Sequence, residues 1–165
     1  MDHKGRRAEL LDELRRFITG VRHVAGVRSV ALVGSIVTSK ANPKDIDVLV
    51  VVSDEADLAP LAVLARRLQG HAQSISRGAD VFLANERGEY IGRTCPWKDC
   101  RPWLRRSCDA RHCGRRPHLH DDLEAVTLSA STIASPPVTL WPAIERRHAL
   151  PRDLDEFVSS LEEAS

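Results

Sequence analysis

Asp45 and Asp47 flank Ile46 at the head of a run, Ile46 to Val52, that is otherwise apolar and β-branched. Residues i and i+2 of a strand project from one face, so the two carboxylates would stand side by side where the neighbouring side chains favour a dry environment. An unpaired charge in such a place is costly, and two like charges repel as well. A divalent cation between them removes both penalties, and hard oxygen donors suit Mg²⁺. Asp80 repeats the pattern within Gly78-Ala79-Asp80-Val81-Phe82-Leu83-Ala84, which reads as a further apolar strand. Should that strand lie beside the Asp47 strand, three acids converge at one end of a sheet. Three acids can hold two Mg²⁺ about 3.5–4 Å apart, the arrangement used for in-line phosphoryl or nucleotidyl transfer. The plainer reading of an isolated Asp-x-Asp is a cap or turn, and an Asp at a strand edge can be equally plain. What raises the pattern above that is the strand context of each acid.

Gly34-Ser35 supplies a complementary half, because it directly follows the β-rich run Arg28-Ser29-Val30-Ala31-Leu32-Val33. A glycine there lets backbone approach a ligand closely. If a helix begins after it, the free amides form an anion site, and a triphosphate between those amides and the metal ions is the natural occupant. Ser35 would add a hydroxyl donor. Lys40 or Lys44 could contact phosphate, although loop lysines are more commonly just solvated.

The elements that must position these residues follow from periodicity. Leu10, Leu11, Leu14, Phe17, Ile18 and Val21 recur at helical spacing, predicting an amphipathic helix ending near Gly20. The near-continuous apolar run to Val52 suggests a strand covered on both faces. Pro60 suits the first turn of a helix opening near Asp57, with Leu61, Leu64, Ala65 and Leu68 on one side and Gly70 as its stop. Residues 130–142 read as loop around a short Val138-Thr139-Leu140 run, and Asp121 to Leu128 as one more strand. Leu154, Phe157, Val158 and Leu161 form a last helix whose five acids leave a solvated, negative outer face. The order favours an α/β (α+β) fold, a small mixed β-sheet with flanking helices.

Gly34-Ser35, nine residues, then Asp45-Ile46-Asp47 resembles the signature of the DNA polymerase β-type nucleotidyltransferase superfamily, and Ala79-Asp80-Val81-Phe82 resembles the setting of its third catalytic acid. The similarity spans roughly Arg28 to Ala84, about a third of the chain. It implies a nucleotidyltransferase-like core in which Asp45 and Asp47 bind both catalytic metals. Asp80 would ligate one of them and help activate an acceptor hydroxyl, while Gly34, Ser35 and Lys44 would hold the nucleotide phosphates. Val37, Thr38 and Ser39 stand where small bacterial members, including antitoxins, carry Ala-Arg-Gly. The implied activity is Mg²⁺-dependent transfer of a nucleoside monophosphate from a nucleoside triphosphate to a hydroxyl of an RNA end, a protein or a small molecule.

Composition separates a further segment. Residues 93–120 hold eight Lys/Arg against two Asp, and with a whole-chain charge of +1 this leaves the remainder acidic. All four cysteines lie there, Cys95, Cys100, Cys108 and Cys113, spaced C-x4-C-x7-C-x4-C with His112, His118 and His120 nearby. Four thiols so spaced suggest a structural Zn²⁺ site in a Cys-rich insertion; redox-active thiols and disulfides are the alternatives. The expected division is therefore a core over 1–92, a basic zinc loop over 93–120, and a strand and helix over 121–165 completing the core. Trp97 and Trp103 within the loop would either stack bases or pack it onto the sheet.

Hydrophobic residues at 42% and charged residues at 28% are globular composition. The start shows no signal peptide and no run is long enough to span a bilayer, so a cytoplasmic protein without a membrane partner is expected. A different function class stays open: a zinc-pinned module binding nucleic acid or protein, a toxin-like partner included, on an inactive scaffold.

Overall fold

A computed structural model describes residues 3–38, 40, 43–98, 116–120 and 127–165. In chain order the elements are α1 (His3–Val21), β1 (Val27–Val33), a 3-10 turn (Ser35–Val37), β2 (Asp45–Val52), α2 (Ala59–Ser74), β3 (Gly78–Ala84), β4 (Tyr90–Thr94), β5 (Leu119–His120), α3 (Ala130–Ala134), β6 (Val138–Trp141), β7 (Glu145–Arg146) and α4 (Arg152–Glu163). Together they make a mixed α+β fold. The seven strands form one sheet in the order β5-β4-β3-β2-β1-β6-β7. β2 and β3 run parallel, with α2 as their crossover, and the other neighbours run antiparallel.

One face of the sheet is fully covered. Val30, Leu32, Val48, Val50, Val52, Val81, Leu83, Val138 and Leu140 meet the apolar stripes of α1, α2 and α4 in a single core. Leu14, Leu61 and Leu154 have no exposed surface, and burying such a side chain contributes about 1.5–3 kcal/mol each. The opposite face carries a smaller cluster of Ala31, Val33, Leu49, Phe82 and Ala84, closed by Ile133 of α3. Cover on that face stops short of the head of β2, where Asp45 is exposed and Asp47 half-buried. The strand predicted to be dry on both faces is therefore dry on both only over residues 48–50, since Val51 is again partly exposed.

Three expectations need correction. α2 does not stop at Gly70 but continues to Ser74, because Ala72 is still buried against the core. A Cβ at Gly70 would meet nothing within 4 Å, so Gly70→Ala should stabilise the fold by about 0.5–1 kcal/mol in urea unfolding. The 130–142 stretch is not loop: it forms α3 and then β6, which pairs with β1 inside the sheet. A four-residue strand between prolines carries too little periodicity to be read alone, and its partner supplies the missing energy. The acids of α4 are not simply solvated, since Arg7 pairs with Asp153, and Arg146 with Asp155 at 2.8 Å and Glu162 at 2.7 Å.

The further strand expected over 121–128 falls largely outside the described residues, as do Cys100, Trp103, Cys108, His112 and Cys113. Cys95 is buried beside β4. The compositional boundary at 92 falls within β4, and β4 pairs with β5, so both ends of the basic segment lie in the sheet edge. No helix among the described residues is long and apolar enough to cross a membrane.

Candidate active site

The parallel register of β2 and β3 brings the acids together. The amide of Gly78 donates to the Lys44 carbonyl at 2.9 Å, which aligns the starts of the two strands. Asp47 then lies directly opposite Asp80, and Asp45 opposite Gly78. Partners in register share a face and neighbouring strands lie about 4.8 Å apart, so Asp47 and Asp80 are adjacent on the incompletely covered face, with Asp45 beside them. A side chain at position 78 would collide with Asp45 Oδ1, so the glycine leaves room for that carboxylate.

Gly34 does the same for Asp47. β1 ends at Val33, the partner of Asp47, and the chain then turns at Gly34 with φ 76° and ψ −159°. That conformation is essentially confined to glycine, and a Cβ there would run into Asp47 Oδ2. The Asp47 carboxylate is thus held against the Gly34 turn. The helix expected after Gly34-Ser35 is only the three-residue 3-10 turn, with Ile36 and Val37 buried in the core. Beneath it, Arg7 of α1 donates to the Ile36 carbonyl at 3.2 Å. Ser35 sits at this turn, half-buried, whereas Lys40 and Lys44 are exposed in the loop before β2.

Electrostatics mark Asp47. Burial, with the Asp80 and then the Asp45 carboxylate alongside, pushes its carboxyl up to about 6. The array is thus strained when fully ionised, and a bound cation would relieve it. The donors are all carboxylate oxygens, the chemistry of a hard cation such as Mg²⁺. Among the described residues, however, no three His, Cys, Asp or Glu side chains are gathered closely enough to hold a metal ion. Asp80 instead faces a cation of the protein's own: Arg93 Nη1 of β4 donates to its Oδ1 at 3.4 Å. With the two side chains 26% and 39% exposed, such a pair contributes about 0–1 kcal/mol and is easily exchanged.

Arg93 is the residue that sequence reading passed over. It was visible only as one of eight bases in a block, and the pairing of Phe82 with Arg93 places it next to Asp80. Another base of that block, Arg116, is engaged differently, donating to the Ser53 and Ala56 carbonyls at 2.9 and 2.8 Å. Structural bonding, rather than availability to a ligand, accounts for it.

No curated protein and no solved structure matches this chain. A family model does match it, over residues 1–114, a stretch that includes Gly34, Asp45, Asp47, Asp80 and Arg93. The chain belongs to that family, a family of unknown function designated DUF6932.

Proposed function

We propose that the protein is a Mg²⁺-dependent nucleotidyltransferase, moving a nucleoside monophosphate from a nucleoside triphosphate to an acceptor hydroxyl. The observation that carries this reading is the register of Asp47 with Asp80 beside Asp45, on strands that begin next to the Gly34 turn. The two strands and the turn bring together residues that the resemblance assigns to metal and phosphate. Asp45 and Asp47, joined by Asp80 once its pair with Arg93 opens and the three carboxylates draw closer, would hold Mg²⁺, which when bound supplies charge neutralisation for the phosphates and lowers the pKa of an acceptor hydroxyl.

The chain's own residues account for the rest. The glycine turn lets triphosphate oxygens come close to backbone, and Asp47, fixed against that turn, sets where the α-phosphate lies. Asp80 stands on the far side of Asp47 and takes the proton of the acceptor hydroxyl. The acceptor oxygen bonds to the α-phosphorus while the bond from that phosphorus to the bridging oxygen breaks, and pyrophosphate leaves with the electron pair. For Asp80 to serve, its ion pair with Arg93 must open, a change of small energetic cost at this exposure.

Incubation with Mg²⁺ and α-labelled nucleoside triphosphates, adding cellular RNA, protein and metabolites in turn, tests the reading. Label should enter one acceptor class with release of pyrophosphate, and Asp45→Asn should stop it; label transfer surviving that substitution would overturn the mechanism. A second reading, an inactive scaffold for a binding module, draws on the Arg93–Asp80 pair, which gives the third acid a partner within the protein. In that case Asp→Asn changes at 45 and 47 would leave binding of the partner untouched. Structural zinc at Cys95, Cys100, Cys108 and Cys113 is tested by native mass with and without a chelator.

A further inference from the structure

On the Asp80 side of the acids a cleft of about 400 Å³ opens between α2 and the β3–β4–β5 edge of the sheet. Its lining includes Gln69 and Gln73 of α2, Arg93, Thr94, His120 and Asp80 itself. Arg93 is the one permanent cation among these lining residues. Thr94 is 3% exposed, and its buried hydroxyl has no hydrogen-bond partner among the described residues. A buried polar atom left in that state calls for an explanation, since valine fills the same volume without the unmet hydroxyl. The volume lies in the range of sites that enclose small molecules, roughly 300–1,000 Å³.

We infer that this cleft is the acceptor subsite and that the acceptor is a small polyol bearing one phosphate or carboxylate group. When Asp80 turns to the acceptor hydroxyl, Arg93 loses its partner, and a planar guanidinium is best repaid by a phosphate or carboxylate. Gln69, Gln73 and Thr94 offer neutral donors and acceptors for the remaining hydroxyls. The role of the hydroxyl and the full release of Arg93 from Asp80 both rest on the nucleotidyl-transfer reading; an anion can compete for Arg93 without transfer only because the Arg93–Asp80 pair is partly exposed and weak.

Calorimetric titration of the full chain with ribose 5-phosphate, gluconate and uncharged ribose tests this. One or both anions should bind, and which one does identifies the anionic group, while ribose should bind about tenfold more weakly or not at all. Arg93→Gln should weaken the anion by about tenfold. Thr94→Val should raise the melting temperature by about 2–4 °C yet still weaken the anion. Absence of anion binding, anion binding indifferent to Arg93→Gln, or a Thr94→Val protein gaining stability with unchanged binding would each overturn the inference. So would tight binding of an RNA oligonucleotide that neither anion displaces. A parallel titration with a non-hydrolysable ATP analogue and Mg²⁺, comparing the unaltered chain with Asp47→Asn, judges the parent reading separately. Failure there with success in the anion arm keeps the cleft and removes the transfer reading; the reverse removes the cleft alone.

Discussion

Asp47→Asn should make the metal-free protein more stable at pH 8 and abolish Mg²⁺-dependent nucleotidyl transfer. Burial, then the Asp80 and Asp45 charges, raises the folded carboxyl from 3.8 to about 6. A folded-state pKa above the unfolded one means that the native fold holds the proton more tightly. The unfavourable contribution is therefore absent below about pH 4, grows as pH rises to about 6, and is complete above that. Because the site is partly open to solvent, the penalty at pH 8 is about 1–2 kcal/mol, or about 2–8 °C in melting temperature. Asparagine has the same shape without the charge, so the variant's advantage should fade on acidification and vanish near pH 4. Transfer should fall by about a thousandfold or more, since the carboxylate that would hold the cation is gone. Melting curves at pH 4, 6 and 8, beside an assay of label transfer, read both effects. A variant less stable than the parent at pH 8 would refute the electrostatic account of this site.

Gly34→Ala should cost both stability and activity. The φ of 76° with ψ of −159° belongs to a region only glycine populates freely, so any side chain there costs about 1–3 kcal/mol. The new methyl would also meet the Asp47 carboxylate, forcing it away from the turn. Transfer should then fall to a level close to that of Asp47→Asn, although every acid is retained. The two effects separate in a double-mutant cycle by urea unfolding. In an Asp47→Ala background the collision with the carboxylate disappears, leaving the backbone strain and a tight contact with the residue 47 Cβ at 3.1 Å, so the cost of Gly34→Ala should shrink. A Gly34→Ala protein of parental stability would show that the turn is not held as described.

Much of this site was legible because strands obey a period of two. Asp45 and Asp47 fall on one face whatever surrounds them, and their placement among β-branched residues made a charged cluster visible. The apolar stripe of α1 and the run of β2 were equally plain, each long enough for periodicity to decide. The end of α2 was not, because a glycine in a helix is a local signal, and the burial of Ala72 on the core outweighs it. β6 was missed for the opposite reason: four residues between prolines have no pattern of their own until β1 pairs with them.

The amino-acid order alone determined which residues could bear charge together within one strand, where the glycine turn falls, and that the chain forms a sheet with helices. Pairing between strands, by contrast, was decided in three dimensions. Backbone hydrogen bonding of β2 to β3 sets Asp80 against Asp47, and the return of β4 carries Arg93 to Asp80 across thirteen positions of sequence. Sheet register is fixed by the sum of many weak contacts over the whole core rather than by any local motif. For that reason the acids announced themselves in the sequence, while their arginine neighbour and the cleft beside it emerged only when the strands were assembled.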